Sequence, residues 1–140
     1  MTTKTGISLA SLDARSASDT PFRAEYISPD GKPSGVFLLI LGAQSSTVIE
    51  ATQKLLNGRR RQEAFASAQA SRSGRNTPTF TPVEEDIEFG QTLTAIRLAG
   101  WEGITEPFSP ELALRLVQSN SHIGDFITEV SADLSNFMKA

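Results

Sequence analysis

Four acidic side chains, Glu84, Glu85, Asp86 and Glu88, stand almost side by side in this sequence. A metal site or an acid/base pair needs carboxylates that converge on one point. Adjacent residues of a helix point in different directions, so this cluster does not supply that convergence. Thr81-Pro82-Val83-Glu84 instead has the pattern of a helix start. Thr caps, Pro takes the first helical position, and Glu closes a capping box. Acidic groups in a first turn meet the positive end of the helix dipole, which accounts for them without chemistry.

The one His, His122, has the right titration range for a general base. It stands beside Ser119 and Ser121, but no G-x-S-x-G motif marks a nucleophile. The chain has no Cys. Thiolate zinc sites, iron–sulfur ligation, disulfides and Cys nucleophiles are therefore excluded. No P-loop and no G-x-G-x-x-G occurs. The expectation is a protein without catalytic, metal-binding or cofactor-binding residues.

Arg59, Arg60 and Arg61, with Arg72 and Arg75, could contact phosphates. No aromatic residues interleave the run, and the chain is acidic overall, which disfavours nucleic acid. A protein partner with acidic patches fits the run at least as well. Trp101 lies in Gly100-Trp101-Glu102-Gly103-Ile104. It reads either as a core or hinge anchor or as an interface anchor, since Trp dominates many interfaces.

These residues need elements to position them. The 140 residues, 39% hydrophobic and 21% charged with a net charge of -3, fit one globular domain. Charge is segregated along them: residues 54–83 carry +5 and residues 84–140 carry -7. The longest apolar run, Val36 to Leu41, is far short of the ~20 residues of a membrane span. The first residues lack the apolar segment of a signal peptide. Residues 1–20, rich in Ser and Thr, read as a flexible N-terminal arm or one weak element.

Phe22, Ala24 and Tyr26 alternate with Arg23 and Glu25, as in a strand. Ser28-Pro29-Asp30-Gly31 is a turn. Gly35 to Gly42 is a short branched apolar run, expected to be a strand covered on both faces. A helix is expected from a capping box of Thr47 and Glu50. It either ends at Asn57-Gly58 or runs through to Ala70 at a cost of about 1 kcal/mol for the Gly. Residues 71–81 read as a linker. A second helix carries Phe89, Leu93 and Ile96 inward and is expected to end at Gly100. Trp101 to Phe108 reads as a loop. Ser109-Pro110-Glu111 opens a third helix, and the chain restarts near Asn120. Ile123, Phe126, Ile127, Val130, Leu134, Phe137 and Met138 follow helical spacing. The fold class is thus α+β and mainly α-helical. A β-hairpin is followed by a small bundle of three to four helices, in one domain over 21–140.

Three segments in this order resemble the tail assembly chaperones of long-tailed bacteriophages. They are the strand and Gly-x-x-Ser turn of residues 35–46, the basic helix around Arg59 to Glu63, and the stretch from Asp86 to Phe137. The Trp-Glu-Gly-Ile loop followed by Pro107-Phe108-Ser109-Pro110-Glu111 is the most specific piece. The likeness covers roughly residues 34–138. It implies a non-enzymatic protein of the bacterial host cytoplasm that binds the tape measure protein and keeps it soluble. Tail tube subunits would polymerise around that complex, and the chaperone would leave the finished particle. It also implies a longer form made by ribosomal frameshifting, the short form ending near Ala140, and leaves self-association open. The resemblance carries over no functional residue. The residues expected to meet partners are Trp101 and Ile104 as a loop anchor, Phe126, Val130 and Phe137 as an apolar face, and Arg59, Arg60 and Arg61 as a charged contact. Two other readings stay open: a minor tail, connector or baseplate protein retained in the virion, and a small nucleic-acid-binding regulator.

Overall fold

The computed structural model describes residues 6–72 and 83–138. Arg75, Thr81, Pro82 and the linker positions 73–81 lie outside the described residues, as do residues 1–5 of the arm. The order of elements is α1 (Ala14–Ser18), β1 (Phe22–Ile27), β2 (Pro33–Ile40), α2 (Ser46–Arg72), α3 (Val83–Ala95), β3 (Leu98–Glu102), α4 (Pro110–Ser119) and α5 (Ser121–Ala132). Single turns of 3-10 helix lie at Leu9–Leu12 and Leu134–Asn136. The architecture is α+β and mainly helical.

The sheet has three antiparallel strands in the order β1-β2-β3. The expected hairpin therefore gains a third strand in a segment read as the end of a helix and a loop. Helix α3 stops at Ala95 and not at Gly100. The hydroxyls of Thr92 and Thr94 donate back to the carbonyls of Glu88 and Gly90, a pairing that weakens a helix. The Arg97 carbonyl then accepts the Leu41 amide at 2.7 Å, drawing the chain alongside β2. Leu98 pairs with Ile40, Gly100 with Leu39 and Trp101 with Leu38. Ala99 is thus a bulge, which places Leu98 and Trp101 on the same face. That broken alternation hid the strand.

Leu38 and Ile40 of β2 are fully buried. They form the core with Ala24, Tyr26, Leu98, Ala113, Val117, Ile123 and Ile127. Among the described residues no second layer covers the other face of β2, against expectation. Phe37 and Leu39 there are half-buried. Arg23 lies 3.7 Å from the centre of the Phe37 ring and reaches across β2 to Glu102 at 2.6 Å. The unbroken apolar run of β2 reflects its central place in the sheet.

The turn from β2 into α2 is held from two sides. The Ser131 hydroxyl of α5 donates to the Leu41 carbonyl at 2.8 Å, and the Ala43 amide donates to the Ser131 carbonyl at 2.8 Å. From the N-terminal side, Ser18 is fully buried and its carbonyl accepts the Gly42 amide at 3.0 Å. Residues 13–20 are in this way built into the fold, as the weak element α1 and the cap that follows it. Helix α2 starts at Ser46, and its cap is Asp19, in place of the expected Thr47 and Glu50 box.

Helix α2 runs unbroken through Asn57-Gly58 for 27 residues, about 40 Å of helix. Val48 is its one buried residue. The shorter α4 and α5 start as expected, with Ser109 and Asn120 as caps. The apolar periodicity of the C-terminal stretch does not continue as one helix. Helix α5 ends at Ala132, and Asp133 caps a fresh 3-10 turn. That break swings Phe137 back edge-on to Phe22, with ring centres 6.1 Å apart.

Candidate functional site

The acidic first turn of α3 holds Glu84, Glu85 and Asp86. Asp86 is drawn aside by an ion pair with Arg59 of α2. Arg59 also approaches Glu63 at 3.5 Å and stacks over Phe89, 4.7 Å from the ring centre. These contacts join the two longest helices. Each is modest: a surface ion pair contributes about 0–1 kcal/mol, and an exposed cation–π contact about 0.5–1 kcal/mol. Among the described residues no three His, Asp or Glu side chains come together as a metal site would require.

His122 is not poised over a nucleophile. Its Nδ1 shares a 2.6 Å hydrogen bond with the hydroxyl of buried Tyr26. The two rings meet edge-on at 5.5 Å, and Phe126 meets Tyr26 from another side at 5.6 Å. His122 thus satisfies a core tyrosine.

The residues expected to meet partners separate into two groups. Trp101, Phe126, Val130 and Phe137 all pack on the chain itself. The Trp101 indole N–H donates to the Glu106 carbonyl at 2.8 Å, and its ring stands edge-on to Phe108 at 5.0 Å. Val130 packs against the core, as Phe126 does. Ile104 is half-buried in the turn after β3. Arg60 and Arg61 are exposed, with no ion pair among the described residues. Arg59 is the member of the run that the fold employs.

The exposed features that remain are helical. Phe65 of α2 is 66% exposed, and Val83 and Ile87 of α3 are 68% and 56% exposed. Counting by helical spacing, Lys54, Gly58, Arg61, Phe65 and Arg72 share one face of α2. All five are exposed. Beside α3, a groove of about 220 Å³ opens toward α4 and α5, with Ile87, Gly90, Val117, Gly124 and Asp125 among its lining. Neither surface follows from apolar periodicity in the sequence, because the stripe is basic and interrupted by one Phe.

Half-buried Arg97 carries an Nε atom without a hydrogen-bond partner, and burial holds its guanidinium below the ordinary Arg range. The Asp19 carboxyl is lowered as well, by hydrogen bonds. The Ser45 hydroxyl, then the Ser46 and Thr47 amides, hold it below its ordinary value.

No protein family, curated protein or solved structure matches the chain.

Proposed function

We propose that the chain is a non-enzymatic tail assembly chaperone, which binds the tape measure protein in the bacterial cytoplasm and keeps it soluble while tail tube subunits assemble around it. The observation that carries this reading is α2, a helix of 27 residues with one buried residue. A helix of that length normally draws its stability from tertiary packing. This one instead displays Leu56 and Phe65, and α3 displays Val83 and Ile87. Apolar side chains displayed on helices suit the transient coating of another helix. The resemblance of residues 34–138 supplies the identity of the client, and with it a frameshift-extended form that would act alongside this one. The engagement of Arg59 by Asp86, Glu63 and Phe89 removes part of the basic run that a nucleic-acid regulator would need.

Co-expression with the tape measure protein encoded nearby tests this reading. The expected result is a tape measure protein that is soluble only with this chain and co-purifies with many copies of it. A client that stays insoluble and unbound, even with an extended form present, overturns it. Recovery of the chain from purified virions would assign it to the particle instead.

A further inference from the structure

Two surfaces of this chain are opposite in charge, and each carries an apolar centre. The first is the stripe of α2 formed by Lys54, Arg61 and Arg72 around Phe65. Glu50, exposed and four positions before Lys54, is the one acidic side chain beside that face, and none of the three cations has an ion pair among the described residues. The second is the groove beside α3. Ile87 and Val117 give it an apolar lining, and Asp125 is its charged lining residue. Glu84 precedes Ile87 by three positions and Glu129 follows Asp125 by four, so both flank the groove on their helices. Gly90 leaves it open, since a Cβ there would meet nothing within 4 Å.

The two surfaces cannot meet within one chain. On α2, Arg59 turns toward α3, and by helical spacing the Lys54–Arg72 stripe lies on the far side. On α3, Asp86 and Phe89 face Arg59, whereas Ile87, Gly90 and Thr94 line the groove. The stripe and the groove are therefore on different sides of the α2–α3 pair.

We propose that the basic stripe of α2 docks in the acidic groove of a second copy of this chain, Phe65 entering against Ile87 and Val117. Lys54 and Arg61 would then meet Asp125 and Glu84 of the other copy. The charge on the two surfaces is opposite, and neither has an ion-pair partner among the described residues. Because the two surfaces differ, the contact is heterologous, and it continues from copy to copy instead of closing as a twofold dimer. The proposal requires no client protein, so its test is separate from that of the chaperone reading.

Sedimentation velocity on the full chain, across protein concentration and salt, gives the test. The expected result is assembly beyond the dimer at low salt that dissociates as salt screens the contact. Lys54→Glu with Arg61→Glu, and separately Glu84→Lys with Asp125→Lys, should each reduce the chain to monomer with unchanged circular dichroism. Mixing the two variants pairs an intact stripe with an intact groove and a swapped stripe with a swapped groove, both of opposite charge, and should restore the salt-sensitive assembly that neither variant shows alone. Should the groove variant fail to fold, the stripe variant carries the test alone, because its two sites are exposed on the outer face of α2. A wild-type chain that is monomeric at every concentration, that stops at a dimer, or whose assembly is untouched by the stripe variant overturns the proposal. So does a stripe that instead captures poly-glutamate or duplex DNA while the chain stays monomeric.

Discussion

The Asp19 carboxylate accepts a hydrogen bond from the Ser45 hydroxyl at 2.6 Å, across 26 positions of sequence, and the same oxygen accepts the Ser46 amide at 2.9 Å. The first turn of the longest helix is thus capped by a residue that precedes the whole hairpin. Capping by a carboxylate satisfies orphan amides and complements the helix dipole. The arrangement makes the N-terminal segment part of the support for α2.

The cap predicts a dependence on acid. Its hydrogen bonds hold the Asp19 pKa below the ordinary value. A depressed folded-state pKa contributes stability that is complete above the unfolded-state value, about 3.9. That contribution is lost as pH falls through the folded-state pKa. Asp19→Asn should therefore lower the melting temperature by a few degrees at neutral pH, and the gap to wild type should close below about pH 4. Thermal melts monitored by circular dichroism measure it. A gap that stays constant down to strong acid would show that the carboxylate charge is not what caps α2.

Gly42 predicts a steric lock at the same corner. A Cβ at this position would lie 2.5 Å from the Ser18 Oγ and 3.1 Å from the Ser18 Cα. The hydroxyl can rotate away, but the backbone atom cannot. Gly42→Ala should cost about 1–3 kcal/mol, the range for overpacking, and should raise amide exchange over residues 14–20. Gly58→Ala is the control. That glycine lies inside α2 with nothing within 4 Å, so Ala should stabilise the helix by up to about 1 kcal/mol. Equal effects at the two glycines would remove the case for a lock.

What the sequence made legible follows from which forces are local. The starts of α4 and α5 are written in Ser109-Pro110 and Asn120, whose side chains act within three residues. The hairpin is written in the alternation from Phe22 to Tyr26. The cap of α2 was not legible, because Asp19 acts at a distance and Thr47 with Glu50 offered a local imitation. Strand β3 was hidden by its bulge at Ala99. At the surface, Trp101 and Phe126 drew attention as large apolar residues, and the fold packs both on itself. Phe65, isolated among polar neighbours, carries far more exposed surface.

Arg59 predicts how α2 and α3 are held together. It combines ion pairs to Asp86 and Glu63 with the stack on Phe89. Arg59→Ala should cost about 1–2 kcal/mol, from two surface ion pairs and one cation–π contact. Arg60→Ala, one position away and exposed, should stay within about 0.5 kcal/mol of wild type. Chemical denaturation compares the totals, and amide exchange over residues 83–89 shows whether α3 is the part that loosens. Similar values for the two variants would mean that Arg59 does not join the helices.

The Gly-Trp-Glu-Gly-Ile segment yields a prediction that the one Trp reports directly. Gly103 has a φ of 85°, and a Cβ there would lie 2.4 Å from the Gly35 carbonyl oxygen. Gly35 itself has a φ of 77°. Two backbones therefore meet where β2 begins and β3 ends, and only glycine permits the approach. Gly103→Ala should force them apart at a cost of about 1–3 kcal/mol. The strain falls two residues from Trp101, whose indole donates to the Glu106 carbonyl and whose ring packs on Phe108. As this corner opens, Trp101 becomes wetter. Its emission should move to longer wavelength and its quenching by iodide should increase, before global unfolding begins. Wild-type emission and stability in Gly103→Ala would show that the close approach to Gly35 does not constrain the segment, and the spacing of its glycines would then need a cause outside the packing of β2 on β3.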